Sequence, residues 1–290
     1  MTCIRLLAWF FVTSAAEPPA SAPVAAEFAP GVRIDWQCPA VYVRTHVVFR
    51  EGPLEFLACF AGKEHESILR FDASAVHIYQ ALGLVGMTPG HPPMPNVKGG
   101  FDPPAGDLVD INLRWTDEKG EHVASAFKWL CLTEYGTTPI ERPWVFGGSI
   151  VRPDNTLASD HSGVGIALVD FHDSLLCYSR RFPSRYGSLW VEANTGAIPP
   201  LDTPVWLEFR RATARDRAVD VDHLGVIHVD GRYCTIADLI DILKLERQLA
   251  PTRVQVVTLD GVLRADERRL RHALNSAGIP EHTICFSRPP

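Results

Sequence analysis

The stretch of this sequence best equipped for chemistry is a run of consecutive ionisable or hydroxyl residues between two apolar segments: Lys63, Glu64, His65, Glu66 and Ser67. An isolated charge costs several kcal/mol in an apolar interior, so we expect complementary polar groups from distant parts of the fold to face these side chains. In an extended strand, Glu64 and Glu66 would point to one face and the other three side chains to the opposite face. The sequence therefore predicts a functional site or a specific structural network here.

A metal or acid–base site is the functional interpretation of this run. His65 with Glu64 or Glu66, joined by His77 or His46 from neighbouring elements, could supply nitrogen and oxygen ligands. Adjacent side chains of a strand diverge, so at least one ligand would have to come from elsewhere. The alternatives are a network of salt bridges and hydrogen bonds or a surface that binds another protein. We favour the network: no cofactor is predicted, and a bound metal ion remains the weaker hypothesis.

Two other segments contain residue types of catalytic sites without the spacing that the chemistry needs. Asp160, His161 and Ser162 are consecutive and cannot form a nucleophile relay, and the sequence has no GxSxG turn. Asp170 and His172 could share one face of a strand and bind a metal, although a polar strand edge is the simpler interpretation. Neither segment predicts an enzyme.

Most tryptophans fall in predicted strands, where aromatic side chains usually belong to the core. These are Trp115, Trp129, Trp144, Trp190 and Trp206. A groove that binds glycan or peptide would need several of them on one exposed face. We favour the core interpretation.

The composition is that of a globular protein without a basic surplus. The formal net charge is −6 and hydrophobic residues make up 46% of the chain, so nucleic acid and anionic membrane surfaces are not predicted partners. The four arginines at 210, 211, 215 and 217 are interrupted and followed by aspartates. We interpret this segment as a solvated linker.

The N-terminal residues have the layout of a secretory signal peptide. A positively charged start at residues 1–5 precedes an apolar run at 6–12, and Ser14, Ala15 and Ala16 are small residues suited to cleavage. The apolar run is too short to span a bilayer, so no membrane span is expected after cleavage behind Ala16. Residues 17–30 then form a Pro/Ala-rich linker. We therefore predict a secreted or periplasmic protein.

Six cysteines lie outside the predicted signal peptide: Cys38, Cys59, Cys131, Cys177, Cys234 and Cys285. An even number in an exported chain permits disulfides, whereas several lie in apolar runs and could simply be buried. No pair is spaced as CxxC, so a zinc ribbon or redox motif has no support.

The predicted elements divide the chain into two domains. Residues 31–211 alternate short strands with turns and contain one short helix, which begins after Asp72 or Ser74. A hairpin is predicted around residues 117–120. After a linker at 212–217, residues 218–290 are predicted to form a small two-layer domain with the order ββαβαβ, its first helix capped by Thr235 and Asp238. The predicted fold class is α+β.

Residues 27–211 resemble the YdjY-like family of bacterial proteins. The matching segments are LEFLACFAGKEHESIL at 54–69, AVHIYQALGL at 75–84, WVFGGS at 144–149 and EANTGAIPPLDTPVWLEF at 192–209. The resemblance implies an exported domain of unassigned activity. Some members of that family carry iron–sulfur cysteines, but this chain has no CxxCxxC run, so no cluster is carried over.

Residues 218–290 are similar to the periplasmic domain of ExbD/TolR-type biopolymer transport proteins, through VDVDHLGVIHVDGRYCTIADL, VQVVTLDG and LRHALNSAGI. Those proteins carry a membrane helix directly before this domain, and here a strand-rich domain takes that place. What the resemblance implies is a small interaction module.

Together these features predict an exported, envelope-associated protein that is a non-catalytic binding or accessory protein. Its partner would be an envelope protein or a small ligand of unknown identity. The competing hypothesis is a metal-dependent hydrolase centred on His65.

Overall fold

A computed structural model describes residues 25–97, 99, 101–180, 189–215, 217–250, 254–258, 262–280 and 284–287. The predicted signal peptide lies outside these residues. Within them, no helix is both long enough and apolar enough to cross a lipid bilayer.

Short strands dominate the first two thirds of the chain. In chain order they are β1 Ala26–Ala29, β2 Val32–Asp35, β3 Ala40–Val47, β4 Phe56–Cys59, β5 Ser67–Phe71, β6 Pro89–His91, β7 Met94–Pro95, β8 Phe101–Asp102, β9 Ala105–Gly106, β10 Leu108–Asp117, β11 Gly120–Ser125, β12 Leu130–Leu132, β13 Trp144–Val145, β14 Ile166–Ala167, β15 Leu176–Tyr178, β16 Val191–Ala193 and β17 Pro204–Arg211.

Eight of these strands close into a barrel. Their order is β3, β17, β10, β13, β15, β14, β4 and β5, and pairing between β5 and β3 completes the ring. One edge of β3 serves two partners, because β2 pairs with its first half and β5 with its second half. The pairs β4–β5 and β14–β15 are parallel, and the other ring pairs are antiparallel. Closure leaves the ring without a free strand edge.

Alternating apolar residues of the long strands supply the barrel core. Buried positions recur at every second residue: Val109, Ile111 and Leu113 on β10, and Val205, Leu207 and Phe209 on β17. Trp129, Trp144 and Phe146 are also fully buried in this core. Complete burial of an aromatic or large aliphatic side chain contributes about 1.5–3 kcal/mol.

Two α-helices and two 3-10 turns accompany the barrel: α1 Ala75–Leu84, α2 Ala158–Ser162, and the turns Glu64–Glu66 and Ala126–Trp129. The α1 helix buries Ala75, Ile78 and Leu82 and contacts β2 and β3. Ser74, one of the two residues predicted to cap this helix, occupies the N-cap position, but its side chain makes no capping hydrogen bond. The cap comes from Asp160 of α2, whose carboxylate accepts hydrogen bonds from the amides of Ala75 and Val76 at 2.6 and 3.3 Å.

The C-terminal third contains a second sheet. Its elements are β18 Val219–Val221, β19 Ile227–Val229, β20 Arg232–Cys234, α3 Ile236–Leu249, β21 Val254–Thr258, α4 Arg264–Ser276 and β22 Ile284–Ser287. The strand order is β20-β19-β18-β21-β22. Thr235 caps α3 as predicted, because its hydroxyl accepts a hydrogen bond from the amide of Asp238 at 3.1 Å.

The predicted fold class is wrong. The first two thirds form a closed eight-stranded barrel, and the last third is not a ββαβαβ two-layer domain, because three strands precede α3 and the sheet has five strands. The missed strand is β20. Asp230 and Gly231 both have positive φ, 53° and 74°, which is the conformation of a tight hairpin turn, and this turn folds Arg232–Cys234 back onto β19.

The prediction that the arginines at residues 210–217 are solvated is wrong for Arg217. The guanidinium group of Arg217 is 4% exposed and binds Glu246, which is fully buried, at 2.7 Å and Asp230 at 2.7 Å. Arg215 pairs with Asp110 of β10. The barrel also contributes Ile140 to the core of the C-terminal sheet. Near the N-terminus, Ala26–Ala29 lies within the predicted Pro/Ala linker, yet it forms β1 and pairs with β2.

Candidate ligand-binding cleft

The predicted site at residues 63–67 is a turn followed by a strand start. Glu64, His65 and Glu66 form a 3-10 turn between β4 and β5, and Ser67 is the fully buried first residue of β5. The extended interpretation of this stretch is therefore wrong. In a 3-10 turn side chains do not alternate between two faces, so the two glutamates do not share one.

The charged side chains of this turn form ion pairs with residues close to them in sequence. Lys63 Nζ lies 3.0 Å from Glu66 Oε1, and Arg70 Nη1 lies 3.4 Å from Glu64 Oε1. The hydroxyl of Ser67 donates a hydrogen bond to the carbonyl of Leu69 at 2.8 Å. We expected complementary groups from distant parts of the fold, and that expectation is wrong, since all these partners lie within one turn-and-strand unit.

The electrostatics of the turn are those of an ion-pair network. Hydrogen bonds from backbone amides, together with the Arg70 guanidinium, lower the pKa of Glu64. Burial, and then the neighbouring Glu66 carboxylate, raise the pKa of Glu55. The side chain of His65 is 74% exposed, and its Nε2 lies 3.8 Å from Glu66 Oε2.

The weaker metal hypothesis named His65, His77 and His46 as ligands. His46 Nδ1 lies 3.0 Å from Asp72 Oδ1, and His77 is half-buried on α1. Among the residues that the structure describes, no group of three or more His, Cys, Asp or Glu side chains could hold a metal ion. The structure thus does not bring the three histidines together in such a group.

The cysteines are free thiols at each of the described positions: Cys38, Cys59, Cys131, Cys177 and Cys234. Burial raises the pKa of Cys59 to about 11 and the pKa values of Cys177 and Cys234 to about 12. These three thiols therefore stay protonated near neutral pH and are poor nucleophiles. The side chain of Cys285 lies outside the described residues.

A cleft of about 780 Å³ lies where the barrel meets the C-terminal sheet. The barrel supplies most of its walls, and the segment around the start of α3 supplies the rest. The lining residues are Pro53, Leu132, Thr133, Glu134, Tyr135, Pro139, Ile140, Arg142, Tyr178, Arg180, Leu189, Trp190, Glu192, Tyr233, Thr235 and Asp238. From sequence we considered only Trp190 among these residues for binding, as part of a possible aromatic groove, and favoured a core position for it.

Two aromatic pairs line this cleft. The ring of Tyr178 stacks on Trp190 with centroids 4.8 Å apart, and the indole of Trp190 donates a hydrogen bond to the carbonyl of Leu168 at 3.0 Å. Across the junction, Tyr135 of the barrel packs on Tyr233 of β20 at 5.4 Å. Both of these tyrosines are about half exposed. The cleft therefore combines a fixed aromatic wall with an exposed aromatic pair.

Arg142 and Asp238 place charge in the same cleft. The side chain of Arg142 is 3% exposed, its guanidinium carbon lies 5.5 Å from the centre of the Tyr178 ring, and its Nη2 lies 4.0 Å from Asp238 Oδ1. Arg180 Nη1 lies closer to the same oxygen, at 2.7 Å. The hydroxyl of Thr235 donates to Asp238 Oδ2 at 2.8 Å.

Local sequence explains how these side chains are held. Tyr178 ends β15, which is paired on both sides within the barrel, and the capping interaction with Thr235 fixes Asp238 in the first turn of α3. Arg142 precedes Pro143, which restricts its backbone to extended conformations. Because Glu141 directly precedes Arg142, this arginine is part of an ordinary charged pair in the sequence, and no local pattern distinguishes it as a cleft residue.

Comparison with known proteins gives one match. The model of the YdjY domain family matches residues 32–210, which is more than half of the chain. No curated protein and no solved structure matches. The resemblance of residues 218–290 to ExbD/TolR-type domains is not supported. The cleft joins residues inside the family match, such as Arg142 and Trp190, to Tyr233, Thr235 and Asp238 beyond it.

Proposed function

This chain belongs to the YdjY domain family, and we propose that it is a non-catalytic binding protein that takes a small ligand in the cleft between barrel and C-terminal sheet. The observation that carries the proposal is the cleft itself. Its volume of about 780 Å³ falls within the range of roughly 300–1,000 Å³ typical of small-molecule sites. An apolar and aromatic lining with a few fixed polar groups is also typical of such sites.

The exposed aromatic pair offers the cleanest test. Tyr135→Ala and Tyr233→Ala each remove a ring from the mouth of the cleft without touching the barrel core. We expect fragments that give saturation-transfer NMR signals with the unaltered protein to lose most of that signal in both variants. Trp36→Ala, which removes an exposed aromatic ring that does not line the cleft, is the matched control and should keep the signal.

Equal signals from all three variants and the unaltered protein would contradict the proposal, because binding would then not depend on the cleft. Circular dichroism of each variant verifies that a lost signal is not a lost fold.

The metal-dependent hydrolase around His65 remains the competing hypothesis, and no geometric observation in the described residues favours it. Metal analysis of the purified protein separates the two. Stoichiometric zinc that is lost on His65→Ala would favour the hydrolase.

We also propose that the protein acts outside the cytoplasm, as an envelope-associated accessory protein. The support is the charged, apolar and small-residue layout of residues 1–16. Cell fractionation followed by N-terminal sequencing should yield a chain that begins at Glu17. A full-length chain retained in the cytoplasm would contradict export.

A further inference from the structure

We propose that the ligand of this cleft is an organic monoanion, a carboxylate on an apolar or aromatic body, and that Arg142 binds its carboxylate. This inference rests on the proposed binding function and specifies its ligand class.

Arg142 has hydrogen-bonding capacity that its protein neighbours do not meet. Its Nε and Nη1 are buried and have no hydrogen-bond partner, although the side chain is only 3% exposed and lines the cleft. A guanidinium group has five N–H donors and keeps its charge at all physiological pH values. A buried donor left without an acceptor is costly, and nearly all buried polar groups in native proteins have a partner, so these two donors call for an acceptor that a ligand in the cleft could supply.

In the described part of the chain, Asp238 is the only carboxylate within ion-pair distance of Arg142. Asp238 Oδ1 lies at 4.0 Å from Arg142 but at 2.7 Å from Arg180, and Asp238 Oδ2 accepts the Thr235 hydroxyl at 2.8 Å. Asp238 therefore lies closer to Arg180 and Thr235 than to Arg142, and the Arg142 charge has no counterion within hydrogen-bond distance among the described residues. A ligand carboxylate would provide one in the fork geometry that guanidinium groups favour.

The acidic residues of the cleft favour a singly charged anion over a doubly charged one. Asp238, Glu134 and Glu192 also line the cleft, and their negative charges would repel a phosphate dianion more strongly than a carboxylate. The partly exposed Trp190 ring, which stacks on the buried Tyr178, provides an apolar surface in the cleft for the body of the ligand. A monoanion with an apolar body fits both features.

Matched probes test the proposal directly. Indole-3-acetate and 3-phenylpropionate are titrated against their neutral primary amides and against phenyl phosphate, with binding followed by saturation-transfer NMR and tryptophan fluorescence. We expect at least one acid to bind about tenfold or more tightly than its amide, since a charge-assisted hydrogen bond contributes that much. Phenyl phosphate should bind more weakly than the acids.

The variant Arg142→Met should abolish the preference for the acid over the amide. Arg142→Lys keeps the positive charge but loses the two-pronged hydrogen-bonding geometry of the guanidinium, so it should retain part of the preference for the acid. It provides the test if the methionine variant does not fold. Arg152→Met removes a half-exposed arginine that does not line the cleft and should change nothing.

Four results would overturn the inference: equal affinity for acid and amide, an unchanged preference in Arg142→Met, tighter binding of phenyl phosphate, or no binding of either acid. The proposed function would still stand if neutral fragments gave signals that depend on Tyr135 and Tyr233, so the two failures are distinguishable.

Discussion

Glu208 on β17 is a buried carboxylate that accepts hydrogen bonds from three side chains. Its side chain is 1% exposed, and it accepts hydrogen bonds from Arg114 Nε at 2.9 Å and from the Tyr42 hydroxyl at 3.2 Å, with Arg210 as a third partner. Burial alone would raise the pKa of Glu208, but the hydrogen bonds from Arg210 and Arg114 outweigh it, and the pKa is lowered. The ionised form is therefore the one that the fold stabilises.

A stability profile against pH should show this effect. A lowered pKa in the folded state gives stability that is present above the usual glutamate value of 4.5 and is lost as pH falls through the folded pKa. We expect the free energy of unfolding, measured with urea, to fall below pH 4.5. The fall should be shallower in Glu208→Gln than in the unaltered protein, whereas Glu118→Gln, in the exposed turn between β10 and β11, should not change the slope.

If Glu208→Gln and the unaltered protein lost stability in parallel below pH 4.5, this carboxylate would not be the source of the pH dependence.

At the scale of elements, local sequence predicted strands and helices better than it predicted their partners. The hairpin β10–β11 forms around residues 117–120 as predicted, and α3 begins after Thr235 as predicted, since turn residues and caps act on near neighbours. The cap of α1 shows the limit of this reasoning. Asp160 is 85 residues away from Ala75 in sequence, and no pattern near α1 indicates it.

Removal of this remote cap should destabilise the protein. Asp160→Ala leaves the first amides of α1 without an acceptor, and loss of an N-cap costs about 1 kcal/mol. Urea unfolding should show a loss of that size. Asp154→Ala, in an exposed turn nearby, is the control and should cost less.

An Asp160→Ala variant as stable as the control would mean that the amides of Ala75 and Val76 find another acceptor, and the capping role would be rejected.

The overall architecture, and closure of the barrel in particular, was harder to predict from sequence than the individual elements were. Closure of the barrel depends on pairs between segments far apart in the chain, such as β3 with β17, and on strands of two or three residues, such as β13 and β15. Periodicity needs longer runs to be informative. The arginines of residues 210–217 similarly looked solvated, because nothing nearby in sequence indicated that Arg217 is buried against Glu246.

The cleft follows from that same assembly, which explains why the sequence did not predict it. Arg142 and Trp190 belong to the barrel and Asp238 to α3, and only the docking of the two parts brings them together. The run at residues 63–67 attracted attention by its density of charge, yet its ion pairs are local. A dense run of charged residues in a sequence is therefore as typical of a structural ion-pair network as it is of a functional site.

The most direct test of the cleft as the binding site is an NMR titration that follows the indole N–H signals of the tryptophans. A fragment that binds the unaltered protein should shift the signal of Trp190, whose Nε1 bonds Leu168 at the cleft wall, and should leave that of exposed Trp36 unchanged. Amide shifts confined to residues 63–67, with the indole signal of Trp190 unchanged, would contradict the cleft as the binding site. They would indicate that the fragment binds the charged turn instead.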